Sequence, residues 1–417
     1  MRFLRLLVTL TEPNPTQPYP CAHLSASKRA AIDPFKTSLV DIFRPIAPKL
    51  LLWHFSRIIV VMRRLFSMKT IHTGYILMFP GQGAQRIGMG ADLFAEFSIA
   101  RDVFAEVDEA LGVSLSRSMF SGDGAFLTQT FNAQPALLAH SVAAARVLAA
   151  EHGVAPKHAV LGHSVGEYAA LVFGGALGLA AAARLLRVRG GAMQAAADRD
   201  TRGAHAMVAV LYTGAETLTV AEAAAREACS RACSETAPLV ASLAAVNAPT
   251  QLVLSGHAKA IDVAIAHLKT SKLLNVRRAV PLNVSAPFHS PTMLPASAAL
   301  RAAFAVTPFL DLQTPLVSGY AAKPITKKED LIEALISGVD SPVRWAEAVS
   351  VARTLAGGDE KGYDDKDGGG EAQTQPLPHF LELGPGTTLG AFVRAIYPKA
   401  RVSSVGTSSD VRGWKGV

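Results

Sequence analysis

Val160-Leu161-Gly162-His163-Ser164-Val165-Gly166-Glu167 is the most informative segment of this 417-residue chain. It carries the pattern G-x-S-x-G between a short apolar run, which predicts a strand, and a helical pattern that starts at Val165. In that context the two glycines permit a sharp turn that lifts the serine hydroxyl out of the chain. Ser164 and Glu167 also fit S-x-x-E, the capping box of an ordinary helix start. The segment alone leaves both interpretations open.

On both sides of this segment, strand and helix patterns alternate. Strand patterns occur at 75–79, at 316 and at 380–383, and helical patterns cover 91–111, 133–152 and 179–197. This alternation predicts an α/β fold, in which a larger, α/β-hydrolase-like domain has a core of parallel strands.

Between 204 and 282 the predicted order changes to β-α-β-β-α-β, which is the ferredoxin-like pattern. The elements are strands at 206–211, 239–246, 252–255 and 276–282, with helices at 215–230 and 258–269. The sequence therefore predicts a small α+β domain at 204–282, inserted between two parts of the large domain, 75–203 and 283–417. The Gly- and acid-rich run 357–375 is expected to be a disordered insertion, with an acidic docking loop as the alternative.

The net charge of +8 is concentrated at the N-terminus. Residues 1–74 contain eleven Lys or Arg and three Asp or Glu, whereas the other 343 residues contain thirty of each. This distribution argues against a nucleic-acid-binding domain, which would carry its positive charge on the folded body. An acid-poor start is typical of organellar presequences. We expect 1–74 to be a targeting or linker segment, disordered or cleaved, with mitochondrial localisation as first choice and plastid as second.

Composition and hydropathy exclude several other classes of protein. The apolar run 50–62 is too short to span a bilayer and contains His54 and Arg57, so no integral membrane span is expected. The same run ends at Met62, which is an alternative start to Met1. Three Cys in the chain argue against a disulfide scaffold and a Cys-rich metal site.

A serine nucleophile needs a base, and His289 is the favoured candidate among twelve histidines. It lies between Pro287 and Pro291 after a predicted strand, in a loop rigid enough to present an imidazole. A structural or surface histidine is the alternative interpretation. His163 is a weaker candidate, because adjacent side chains on a sharp turn diverge.

Arg189 falls on the apolar side of the predicted helix 179–197. Its neighbours one turn away are Leu185, Leu186, Ala192 and Met193. A guanidinium in such surroundings needs an anionic partner. The partner is either an Asp or Glu of the chain, in an internal salt bridge, or the carboxylate of a substrate.

The Gly-rich turn at 79–90 follows the first predicted strand. It does not fit G-x-G-x-x-G, because Arg86 occupies the last glycine position, and it lacks the Gly-Lys-Ser/Thr of a phosphate loop. A tight turn that offers backbone N–H groups to an oxyanion remains open.

Six stretches together resemble one family, the malonyl-CoA:acyl carrier protein transacylases with the related acyltransferase domains of fatty acid and polyketide synthases. They are PGQGAQ at 80–85, GHSVGEYAAL at 162–171, RGGAMQ at 189–194, NVSAPFHS at 283–290, SPVRW at 341–345 and ELGPGTTL at 382–389. The resemblance covers roughly 75–417, and several motifs in the family's order are far more specific than any one alone.

The resemblance implies a role for each matching residue. Ser164 would be the nucleophile and His289 its base. Arg189 would bind the malonyl carboxylate, and the backbone N–H groups of Gln82 and Val165 would form the oxyanion hole.

The resemblance also concerns two features around the histidine: the carbonyl that orients it and the residue that precedes it. In the family a backbone carbonyl orients the histidine, and the resemblance places it at Gly338, where the family usually has Gln. Ser341 replaces a nearby Asn. Phe288, before the histidine, resembles members that take malonyl rather than a branched acyl group.

The implied reaction carries malonyl from malonyl-CoA to the phosphopantetheine thiol of acyl carrier protein through malonyl-Ser164, with ping-pong kinetics and without a metal or redox cofactor. The alternatives are a serine esterase or thioesterase of the α/β-hydrolase kind and a non-catalytic docking module for acyl carrier protein. Because acyl carrier proteins are acidic, a basic docking face is expected. Its candidate residues are Arg277, Arg278, Lys323, Lys327 and Lys328.

Overall fold

The structure is a computed structural model that describes residues 74–357 and 378–416. The expected targeting segment 1–74 lies outside the described residues except for its last residue, Gly74. The expected insertion 357–375 lies outside them except for its first residue, Gly357. Both therefore stay predictions.

Strands and helices are interspersed along the described part of the chain. The strands are β1 (Tyr75–Phe79), β2 (Pro156–Gly162), β3 (His205–Thr213), β4 (Ala241–Ala248), β5 (Gln251–His257), β6 (Asn275–Pro281), β7 (Leu316–Val317), β8 (Pro324–Ile325), β9 (His379–Leu383) and β10 (Arg401–Val405). The helices are α1 (Ala91–Glu96), α2 (Ser98–Leu111), α3 (Leu115–Ser121), α4 (Gly124–Thr128), α5 (Thr130–His152), α6 (Gly166–Phe173), α7 (Leu179–Arg199), α8 (Leu218–Glu235), α9 (Ala258–Thr270), α10 (Leu294–Ala305), α11 (Lys328–Ser337), α12 (Trp345–Leu355), α13 (Thr388–Ile396) and α14 (Ser408–Arg412).

The larger sheet has the strand order β10-β9-β1-β2-β7-β8. Its pairs are parallel except at the edge, where β8 runs antiparallel to β7. All five residues of the central strand β1, Tyr-Ile-Leu-Met-Phe, are buried. A continuous apolar run is what a parallel strand covered on both faces requires. The predicted α/β fold with a parallel core is confirmed, and β8 is the one antiparallel strand in the part of this sheet that the structure describes.

The smaller sheet has the order β4-β5-β3-β6, and its pairs are all antiparallel. Helices α8 and α9 connect its strands and pack against them. This is the ferredoxin-like arrangement that the sequence predicted. Helix α8 begins three residues later than predicted, because the Thr217 side chain caps it by accepting the N–H of Val220.

The large domain departs from the sequence expectations at several elements, and two of these differences have a clear physical cause. The single helix predicted at 91–111 is two helices, α1 and α2, since Phe97 between them has an extended backbone with φ −117° and ψ 125°. Strand β10 was not predicted. It is a half-buried edge strand, and it lacks the apolar run that marks a central strand.

Parallel pairing places the carboxyl ends of β1, β2 and β9 at one edge of the large sheet. The turns that leave these strands begin at Pro80, His163 and Gly384. Ligands bind at this edge in open parallel sheets. Within the described ranges, no helix combines the length and the apolar character that a membrane crossing needs.

Candidate active site

Ser164 lies at the sharp turn from β2 into α6, with a positive φ of 53°. Few residues other than glycine adopt this conformation. The flanking glycines are required by space, because a Cβ on Gly162 would lie 2.0 Å from the backbone N of Glu167 and one on Gly166 would lie 2.1 Å from the Phe79 carbonyl oxygen. The G-x-S-x-G pattern therefore builds a strained turn of the kind found at functional sites.

The hydroxyl of Ser164 contacts two polar side chains from distant parts of the chain. Its Oγ lies 2.8 Å from Nε2 of His289 and accepts a hydrogen bond from Nη2 of Arg189 at 3.1 Å. No side chain caps α6, and the Glu167 carboxylate instead accepts the N–H of Gly319 at 2.7 Å. The capping-box interpretation is therefore wrong, and Ser164 faces an imidazole and a guanidinium.

His289 is only 7% exposed and, like Ser164, has a positive φ, of 56°. Its Nδ1 lies 2.9 Å from the carbonyl oxygen of Gly338 and 3.1 Å from that of Ser341. Carbonyl oxygens only accept hydrogen bonds, so Nδ1 carries the proton and Nε2 presents its lone pair to Ser164. Burial, reinforced by the nearby Arg189 guanidinium and by His163, lowers the pKa of His289 to about 3, which keeps the ring neutral.

Arg189 is 4% exposed on α7. Within residues 74–357 and 378–416, its guanidinium donates a hydrogen bond to Ser164, its Nε is buried without a hydrogen-bond partner, and it forms no ion pair. The internal salt bridge considered from the sequence is therefore not formed with the described acidic residues. An arginine stays protonated even when buried, so the site holds a cation that can accept an external anion.

The backbone N–H groups of Gln82 and Val165 flank the serine from two turns. Gln82 follows β1, and Val165 directly follows Ser164. Among the hydrogen bonds of the described residues, none uses either N–H as donor. Two free N–H groups beside a nucleophile are what an oxyanion hole requires.

A cavity of about 330 Å³ opens onto these groups. The large domain contributes Gln82, Ser164, Arg189, Phe288 and His289 to its lining. The small domain contributes seven residues of β3, β4 and β5: Met207, Ala209, Ala244, Ala245, Asn247, Gln251 and Val253. The structure thus brings these predicted site residues to one cleft between the two sheets. Val165 and Gly338 do not line the cavity, but Val165 directly follows Ser164, and the Gly338 carbonyl contacts His289.

Sequence reasoning missed the polar residues that join the two domains at this cleft. Nε2 of His163 lies 2.9 Å from Oδ1 of Asn247, whose Nδ2 donates to Oε1 of Gln251 at 2.9 Å. Because an amide oxygen only accepts hydrogen bonds, Nε2 of His163 carries the proton in this contact, and none of the hydrogen bonds of the described residues joins the ring to Ser164, so His163 is a structural link rather than a second base. Asn247 and Gln251 belong to no motif, and nothing in their spacing marks them.

One group of described residues has the composition of a metal site, away from this cavity. Oδ2 of Asp200 lies 3.4 Å from Nε2 of His205 and 3.2 Å from Nε2 of His257. However, Arg202 donates to both oxygens of Asp200, and the Val240 N–H donates to Nδ1 of His257 at 3.0 Å. A neutral His257 then carries its proton on Nε2, the atom that would have to bind the metal, so the group fits a hydrogen-bonded cluster.

Comparison with known proteins assigns the family. The family model described as "Acyl transferase domain" matches residues 76–359. A malonyl CoA-acyl carrier protein transacylase of Bacillus subtilis is 36% identical over 328 residues, which cover 79% of this chain and 92% of that protein. This chain belongs to the malonyl-CoA:acyl carrier protein transacylase family.

Other members of the transacylase family match over nearly their whole length. The Escherichia coli K12 transacylase is 33% identical over 81% of this chain and 97% of its own. A solved acyl-carrier-protein S-malonyltransferase of Bartonella henselae superposes with a TM-score of 0.69 at 34% identity, over 82% of this chain and 98% of that one. A malonyl-transacylase solved in complex with its type II polyketide acyl carrier protein gives 0.69 at 30% identity, with the same coverage.

Proposed function

We propose that this chain transfers the malonyl group of malonyl-CoA to the phosphopantetheine thiol of acyl carrier protein, supplying fatty acid synthesis. The names of its relatives support this proposal, as does the solved complex of one transacylase with its carrier protein. The observation that carries it is the meeting of the His289 imidazole and the Arg189 guanidinium at the Ser164 hydroxyl. A nucleophile, a base and a cation so placed suit an acyl group that bears a carboxylate.

In the acylation step, Nε2 of His289 takes the Ser164 proton as Oγ attacks the thioester carbonyl. The oxyanion then lies against the N–H groups of Gln82 and Val165, and the CoA thiol leaves with a proton from His289. The carbonyl oxygens of Gly338 and Ser341 accept hydrogen bonds from Nδ1–H throughout, so they stabilise the imidazolium that forms. Because backbone carbonyls do this work, no acidic third member is needed.

Arg189 supplies selectivity for a dicarboxylic acyl group. In malonyl, a single methylene separates the thioester carbonyl from the carboxylate, so the cation must lie close to the nucleophile. The distance of 3.1 Å from Arg189 Nη2 to Ser164 Oγ meets this requirement. Burial of both charges favours a bidentate pair and disfavours an uncharged acyl group that leaves the guanidinium without a partner.

Transfer to the carrier repeats the chemistry in reverse. The phosphopantetheine thiol loses its proton to His289 and attacks malonyl-Ser164, and the same two N–H groups hold the oxyanion. The oxygen ester breaks, and the proton returns to Ser164. The kinetics are then ping-pong, and neither a metal nor a redox cofactor is needed, because His289 moves the protons and N–H groups hold the charge.

Phe288 is proposed to limit the size of the acyl group. It is buried at the cavity wall directly before His289. A branch on the malonyl methylene would have to displace this ring, and well-packed side chains resist such overpacking.

The main alternative is a serine hydrolase of the α/β-hydrolase kind. In such an enzyme an Asp or Glu side chain orients the histidine. Here the partners of His289 Nδ1 among the described residues are two backbone carbonyls. The alternative of an inert docking module leaves the strained Ser164 and its contact with His289 without a purpose.

Product analysis separates these possibilities. The chain is incubated with malonyl-CoA and the phosphopantetheinylated carrier, and malonyl-carrier and free malonate are measured. We expect carrier loading with parallel lines in double-reciprocal plots. Free malonate without loading would favour the hydrolase, and carrier binding without any malonyl transfer would favour the docking module.

A basic docking face remains a proposal. The five candidates are all exposed. Lys327 and Lys328 already lie 2.8 Å from Asp311 and 3.8 Å from Glu329, which leaves Arg277, Arg278 and Lys323 as the stronger choices. Substituting these three by Ala should raise the KM for the carrier, more strongly at low salt, because charge steering is screened by ions. A KM for the carrier that does not respond to salt would argue against this face.

Mitochondrial localisation is likewise proposed, on the acid-poor composition of residues 1–74. Fusion of residues 1–74 to a fluorescent protein tests it directly. Co-localisation with a mitochondrial marker is the expected result, and plastid or diffuse fluorescence would contradict it.

A further inference from the structure

Thr130 connects the two loops that flank the nucleophile. It is the first residue of α5 and is completely buried. Its Oγ1 accepts a hydrogen bond from Nε2 of Gln82 at 3.2 Å and lies 2.7 Å from Oγ of Ser285. Since the Thr130 oxygen accepts from the glutamine amide, its own proton is available for Ser285. One hydroxyl therefore joins two segments that lie far apart in the sequence.

The first segment carries an oxyanion donor. Gln82 stands between Gly81 and Gly83, and Gly83 has a positive φ of 105°. A glycine-flanked backbone has few steric restraints of its own, so the position of the Gln82 N–H depends on how its side chain is held. That side chain is held at both ends by α5, because Gln134, one helical turn after Thr130, donates from Nε2 to Oε1 of Gln82 at 3.4 Å.

The second segment carries the base. Ser285 precedes His289 by four residues in the loop after β6. Backbone strain at His289 means that its conformation must be imposed by the surroundings. The bond from Thr130 to Ser285 is one such restraint on this loop. The bonds from His289 to the carbonyls of Gly338 and Ser341 are others, and they act on the imidazole itself.

We propose that Thr130 is a positioning residue for acyl transfer, which sets the Gln82 N–H and the His289 loop in register with Ser164. The inference rests on the proposed function. Thr130 itself is not among the residues that line the cavity, so it acts through its neighbours rather than on the substrate. Misplacement of reacting groups by about 1 Å can cost about 100-fold in rate.

Thr130→Val tests this, since it keeps the shape of the side chain and removes the hydroxyl. The readouts are the single-turnover rate of malonyl-Ser164 formation, with KM for malonyl-CoA measured separately. We expect the rate to fall about 10- to 100-fold with KM changed less than about threefold. Thr130→Ser should restore the rate to within about threefold of wild type. Thr128→Val is the matched control, because among the described residues that hydroxyl bonds only to the Gly124 carbonyl of its own helix.

Gln82→Leu provides an independent variant, because it keeps the backbone N–H and removes only its anchor. Gln82→Leu should slow acylation, and the rate loss in the double variant with Thr130→Val should be smaller than the product of the two single losses, because the two substitutions share the Gln82–Thr130 bond. Three results would overturn the inference. They are a wild-type acylation rate in folded Thr130→Val, an acylation rate in Thr130→Ser that stays as low as in Thr130→Val, and a double variant whose rate loss equals the product of the two single losses. If the wild-type chain forms no malonyl-Ser164, the proposed function fails and this inference fails with it.

Discussion

Arg189→Ala is expected to weaken malonyl transfer far more than acetyl transfer. The guanidinium is 4% exposed and has no carboxylate within ion-pair distance among the described residues, so the malonyl carboxylate would be its direct counter-ion. Removing one partner of a desolvated charge pair costs about 2–4 kcal/mol, which is about 30- to 1000-fold in kcat/KM. Acetyl has no carboxylate. For acetyl, only the Arg189–Ser164 hydrogen bond is lost, and a loss below about tenfold is expected.

The assay compares rates of carrier loading from malonyl-CoA and from acetyl-CoA for the wild type and the variant. Arg184→Ala, on an exposed position of the same helix α7, is the matched control and should leave both rates unchanged. Melting temperatures show whether either variant has lost its fold. Equal losses for the two acyl groups in folded Arg189→Ala would refute the carboxylate contact.

Three further predictions concern the base and the turn. His289→Ala should slow formation of the malonyl-enzyme about 10²- to 10⁴-fold, measured by rapid quench, and a near-normal rate would exclude it as the base. Because the Arg189 guanidinium lowers the pKa of His289, Arg189→Ala should raise that pKa, so the acid limb of acetyl transfer should move to higher pH in a pH–rate profile. An unmoved or lowered limb would contradict this coupling. Gly166→Ala should lower the melting temperature, with a cost of at least about 1–3 kcal/mol, since its Cβ would lie 2.1 Å from the Phe79 carbonyl oxygen.

Much of the site could be predicted because its chemistry depends on residue type. Gly162 and Gly166 are needed where backbone atoms approach within about 2 Å of a would-be Cβ, so the pattern around Ser164 is readable. The burial of Arg189 followed from its apolar neighbours at helical spacing. Its freedom from an internal salt bridge did not follow, because that depends on where every acidic residue lies in space.

The parts that escaped prediction depend on backbone groups and on contacts between distant segments. The carbonyl of Ser341 beside His289 could be supplied by any residue, so its type carries no signal. Thr130, Asn247 and Gln251 act through partners that lie far away in sequence or across a strand pair. In the fold, Phe97 ended a helix through its backbone conformation, although the apolar periodicity continued through it.

The central claim is that malonyl passes through a covalent ester on Ser164. Intact-mass analysis after mixing with malonyl-CoA, and again after adding the phosphopantetheinylated carrier, measures this directly. One malonyl adduct should form on the wild type, map to Ser164 and disappear as the carrier gains malonyl, whereas Ser164→Ala should gain none. An adduct that persists in Ser164→Ala, or carrier loading by that variant at the wild-type rate, would contradict the account.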